Sequence, residues 1–107
     1  MSFFRKPDIQ KLAQLLMSKN PMDYKHKSLK TIEDALSREK SIENDIQRFG
    51  SKTEEIKKLL EDLKFKLQPS QSISEDEKRE IIDRLSDLGN EIEKELRHLE
   101  KDSYKLE

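Results

Sequence analysis

The sequence predicts an all-α protein: a long antiparallel helical hairpin with coiled-coil-like packing, preceded by a short N-terminal helix. Three observations carry that expectation. Only 32% of the 107 residues are apolar while 42% are charged, which fits either a disordered chain or a helical one whose seam needs few apolar residues per turn. Leu, Ile, Lys, Glu, Asp and Ser dominate, and Val and Trp are absent, a choice of residues that favours helix over strand. Finally, apolar residues recur by threes and fours along most of the chain, the period of an amphipathic helix. A length of 107 residues corresponds to a single domain.

The first helix is expected from Pro7 to about Lys19. Proline suits the first turn because its missing N–H has no partner there, and Asp8 sits where the helix dipole favours an acid. Ile9, Leu12, Ala13, Leu16 and Met17 form its apolar stripe. Asn20-Pro21 stops this helix and starts the next, with Asn20 as N-cap and Asp23 in the first turn.

From residue 21 the pattern is long. Ile32, Ala35, Ile42, Ile46, Phe49, Ile56, Leu60, Leu63 and Leu67 alternate by threes and fours, with Glu39 and Thr53 standing in two seam positions. Such a heptad seam is the signature of helix-on-helix packing. The expectation is one helix over 21–68, roughly 70 Å long at 1.5 Å per residue. Gly50 marks a potential kink, because Ser51 and Glu54 read as a capping box although the heptad phase runs through the site.

Pro69 to Ser74 is the clearest loop. Ser74 and Glu77 form a second capping box, and a third helix is expected over 75–105 with Ile81, Leu85, Leu88, Ile92, Leu96 and Leu99 on one face. A loop this short makes its flanking helices antiparallel neighbours. Folding about residue 71 sets Phe49 opposite Ile92–Leu96 and Ile42 opposite Leu99–Lys101. The third helix then runs out near Leu36, leaving residues 21–35 to be covered by the first helix, in a three-helix bundle, or by another chain, in a dimeric one.

Net charge is −1, but it is unevenly spread. Residues 1–30 carry seven Lys/Arg against two acids, and residues 31–107 carry fifteen against twenty-one. A basic end of this kind docks on an acidic body, on a second copy, or on an anionic partner. There is no Cys, so disulfides, thiolate nucleophiles and Cys-type zinc sites are excluded. The chain has no run of roughly 18 apolar residues that would span a bilayer, and charges interrupt the first seventeen residues, unlike a secretory signal. A cytoplasmic location is the expectation.

Chemistry-bearing motifs are sparse. Glu95 and His98 have the Glu-x-x-His spacing of di-metal bundles, but no second copy or further inward carboxylates accompany them, so no metal site and no cofactor are expected. Glu39 reads as a polar seam residue that either sets register or reaches solvent or Lys101. No Gly-rich phosphate loop is present, and a bundle of two or three helices offers little concave interior for a small-molecule substrate.

These readings predict a non-enzymatic structural or interaction protein. It would form a homodimer or a hetero-complex with another helical protein through Phe3, Phe4, Ile9, Leu12, Leu16, Leu29, Ile32 and Leu36. The alternative is an adaptor that binds an anionic surface, membrane or nucleic acid, through Arg5, Lys6, Lys11, Lys19, Lys25, Lys27 and Lys30.

Overall fold

A computed structural model describes residues 3–106, with side chains through His98. Five α-helices make up the fold, with no strand among the described residues: α1 (Lys6–Leu16), α2 (Ser28–Leu36), α3 (Glu39–Phe49), α4 (Ser51–Lys66) and α5 (Glu75–Leu106). A π-helical stretch, Met22–Lys27, leads directly into α2. They pack into a body of 54 × 23 × 19 Å. The long arm expected over 21–68 is not one helix. It is divided at two places, so no extended hairpin of that length forms.

The first division lies at Ser37 and Arg38. The Ser37 hydroxyl donates to the Asp34 carbonyl at 2.6 Å, and Arg38 leaves helical geometry with ψ at 60°. What holds the bend open is a distant contact. The Arg38 guanidinium donates to the Phe3 carbonyl at 3.0 Å, while the Phe3 amide donates to the Asp45 carboxylate at 2.8 Å. The segment ahead of α1 is thus gripped at one residue by the bend itself and by the α3 helix that follows it. Glu39 is exposed at the start of a new helix, where the dipole favours an acid. It sets no seam register, and the Lys101 side chain considered as its partner lies outside the described residues.

The second division is a turn, not a kink. Gly50 has φ 60° and ψ −130°, a conformation open to glycine and strained for other residues. Its amide donates to the Ile46 carbonyl at 2.7 Å, and α4 folds back along α3. Thr53 is fully buried just past the turn, where its hydroxyl donates to the Asp45 carbonyl at 3.2 Å. The expected side-chain cap from Ser51 is absent. At Ser74 the expected cap is present, its hydroxyl accepting from the Glu77 amide at 3.2 Å.

Helices α4 and α5 are antiparallel neighbours across the 69–74 loop. Lys66 pairs with Glu77 at 2.9 Å, Arg84 with Glu55 at 2.6 Å and Lys52 with Glu95, so the pairs step in opposite directions along the two helices. Opposite number to the α3–α4 turn is the Glu95 level of α5, close to the register expected for Phe49. The Leu99–Lys101 side chains expected opposite Ile42 lie outside the described residues.

The first helix ends at Leu16, earlier than expected, and turns back through a compact polar knot. Ser18 accepts from the Asn20 amide at 3.2 Å and donates to the Asp23 carboxylate at 3.1 Å, while Asn20 caps the Met22 amide at 3.0 Å. The π-helical geometry that follows has a local cause. Both the backbone N–H and the hydroxyl of buried Ser28 donate to the Asp23 carbonyl, five residues back. α1 then lies on α2, on the π-helical stretch and on α5. It approaches α5 at Gly89, where a β-carbon would sit 2.7 Å from Cδ1 of Ile9.

A candidate docking groove

The apolar residues expected to meet a partner are mostly spent inside the chain. Phe3, Phe4, Ile9, Leu12, Leu16 and Ile32 are all buried in the central cluster, and Leu29 and Leu36 pack half-buried against it. The surface expected there is therefore absent from the folded chain. The cause is the return of α1, together with the insertion of Phe3 and Phe4, whose rings lie 6.2 Å apart.

The cations of the alternative reading stay on the surface. Arg5, Lys6, Lys11, Lys19, Lys27 and Lys30 are exposed and Lys25 is half-buried. Two of them are paired with acids of the chain. Lys6 lies 3.8 Å from Glu93, and Lys27 pairs with Asp23 at 3.1 Å. That hydrogen bond from Lys27, and then the one from Ser18, hold the Asp23 carboxyl below its ordinary range.

What the structure leaves open lies elsewhere. Burial along α5 stops abruptly: Ile81, Leu85 and Leu88 are buried, whereas Ile92 and Leu96 on the same stripe are only half-buried. A groove of about 450 Å³ opens there. Phe4, Ile92 and Leu96 supply its apolar lining, with Gly89 at its inner end. The start of α1 contributes Arg5, Lys6 and Pro7 to its border, and the end of α3 contributes Arg48. Glu93 is the acid in the lining, and it is held between Lys6 and Arg97, the latter at 3.6 Å. Among the described residues, Arg5 and Arg48 have no carboxylate partner. The Arg48 guanidinium stands 5.5 Å from the Phe49 ring centre instead.

A second cleft, of about 520 Å³, separates α3 from α4. Leu36, Ile42 and Ile46 line it together with three acids, Glu39, Glu43 and Glu61, and two lysines, Lys57 and Lys64, of which Lys57 lies 3.9 Å from Glu61, so its lining carries one net charge against two for the first groove. The first groove carries the larger unanswered charge and is the better candidate for a partner.

Glu95 of the Glu-x-x-His pair is engaged by Lys52, His98 is exposed, and no three potential metal ligands converge among the described residues. A bidentate pair, Arg84 with Glu55, lies exposed on the α4–α5 surface. Hydrogen bonding from Arg84 lowers the Glu55 pKa, and the hydrogen bonds that Lys66 donates to Glu77 and then to Asp62 raise that of Lys66. These are helix-to-helix ties. No described helix is long and apolar enough to cross a membrane.

Sequence reasoning missed the groove because its residues come from three distant segments, 4–7, 48 and 89–96. Gly89, inside α5, is a local signal of it, since a glycine in a helix interior can mark close approach of another element. No family model matches the chain, and no curated protein or solved structure matches it either.

Proposed function

We propose that this chain is a non-enzymatic interaction module that docks a helical partner in the groove between the start of α1 and the second half of α5. The observation that carries the reading is the early end of the core. No residue from Gly89 to His98 is fully buried although α5 continues through them, and Ile92 and Leu96 are left half-covered beneath a cationic border. An apolar floor of this kind gains about 25 cal/mol for each Å² it removes from water. The cations orient the occupant and discriminate against basic ones. Coiled-coil character belongs to this reading too, since the second half of α5 keeps heptad spacing suited to another helix. A cytoplasmic setting completes it, as the cysteine-free chain suits a reducing compartment.

Site-specific photo-crosslinking tests the reading. With p-benzoylphenylalanine at Glu93 of the full chain in living cells, protein adducts are expected. The same probe at Phe65, exposed on α4, serves as the control and should give few. Equal labelling at both positions, or none at Glu93, overturns the groove.

Exposed Met17 and Met22 favour a second reading. They flank the Ser18–Pro21 turn with Lys19, Lys25 and Lys27 nearby in sequence, an arrangement suited to shallow contact with an anionic lipid surface. Co-sedimentation with phosphatidylserine-containing vesicles should then fall steeply as salt rises, and fall further in Met22→Glu. Binding that ignores salt or Met22→Glu excludes it.

A further inference from the structure

We propose that the occupant of the groove is a second copy of this chain, each copy laying the second half of its α5 in the groove of the other across a two-fold axis. The proposal rests on the docking reading above and names its partner.

The argument starts from a repeat in α5. Ile92-Glu93-Lys94-Glu95 is followed seven residues later by Leu99-Glu100-Lys101-Asp102, and Leu106 comes seven residues after that. The helix is continuous through all of them. Seven-residue spacing returns positions to nearly the same face, so one apolar line is flanked on both sides by acids. In the first of the two repeats those acids are already answered. Glu93 lies beside Lys6, and Glu95 is engaged by Lys52. The body at that level therefore presents cations to both flanks of the α5 stripe.

Arg5 and Arg48 are the remaining cations at this level, and neither has a carboxylate partner among the described residues. They border the groove in which the stripe loses its cover. A helix that carries an apolar line with acids on its flanks matches that border, and the next repeat of α5 is such a helix. It cannot fold back into its own groove, because α5 runs unbroken from Glu75 to Leu106. A second copy can deliver it. In a two-fold arrangement each copy gives a groove and receives a helix, so the contact closes as a dimer.

Charge exchange tests the assignment with the full chain. Sedimentation of the unaltered protein should show a concentration-dependent monomer–dimer equilibrium. Arg5→Glu with Arg48→Glu reverses the groove, and Glu100→Lys with Asp102→Lys reverses the helix. Each double variant alone should raise the dimer dissociation constant about tenfold or more. An equimolar mixture should recover dimer, since both contacts of the mixed species are again between opposite charges. Circular dichroism of the diluted variants reports that each still folds.

Three outcomes overturn the proposal: a monomer at all concentrations up to ~100 µM, a dimer indifferent to both variants, or a mixture that recovers nothing. If the chain is monomeric while Glu93 still crosslinks to a different protein, the second copy is excluded and the docking reading stands.

Discussion

The two halves of α5 share one helix and one pattern of residues but not one environment. Before Gly89, Ile81, Leu85 and Leu88 are buried against the rest of the chain, and even Lys78 is covered, its ammonium 4.3 Å from the Tyr24 ring centre and 3.3 Å from Glu75. After Gly89 no residue with a described side chain is fully buried. The apolar stripe is the same, so periodicity reports which face seeks cover. It does not report what arrives to cover it. That depends on α4 being 16 residues long while α5 is 32, and on where α1 crosses.

The sharpest test of the contrast compares two truncations. Leu88→Ala should cost about 2–5 kcal/mol of unfolding free energy, as expected for a closed core site. Leu96→Ala should cost about 1 kcal/mol or less at a protein concentration where the chain is monomeric, because a half-covered site loses less burial. Urea titration of both variants decides; equal losses would mean that the core extends past Gly89.

Gly89→Ala probes the boundary itself. The added methyl would meet the end of the flexible Ile9 side chain, so rearrangement relieves part of the clash and about 1–3 kcal/mol is expected. Ile9→Val in the same background should recover some of it. No recovery would place the cost elsewhere.

The smallest effect concerns acid. Glu55 is hydrogen-bonded by Arg84 on the buried half of α5, which holds its folded pKa below the ordinary value. A depressed carboxyl adds stability above its unfolded pKa, and that contribution is lost as pH falls through the folded value. Arg84→Met should therefore flatten the decline of stability on acidification from about pH 5 to about pH 3. The pair is exposed, so the change should be slight and screened by salt. An unchanged acid limb at low salt would show that the pair contributes nothing measurable.

Much of this architecture could be read in the residues. The all-helical composition, the Asn20-Pro21 stop, the Ser74 cap and the antiparallel α4–α5 pairing follow from local signals, whereas the stripe of Leu12 and Leu16 left open whether the chain itself or a partner would cover it. The two divisions of residues 21–68 were harder to see, because the heptad phase passes through both. Their trace was in the seam positions that lacked an apolar residue. Glu39 opens a helix after a bend, and Thr53 ties two helices across a turn; each was the polar mark of a break. The cationic border of the groove was less legible still. Arg48 and Arg5 are brought to the same end of α5 only by those breaks, and spacing along the chain carries no information about such a meeting.

The grip on Phe3 has a further consequence. Its amide and carbonyl are engaged by Asp45 of α3 and by Arg38 at the bend ahead of it, so both partners are in place only when the segment is docked on α3. A segment lying ahead of a first helix ordinarily frays on its own. Here it is tied to the middle of α3, so slow exchange of the Phe3 amide with solvent would report that the segment stays docked there.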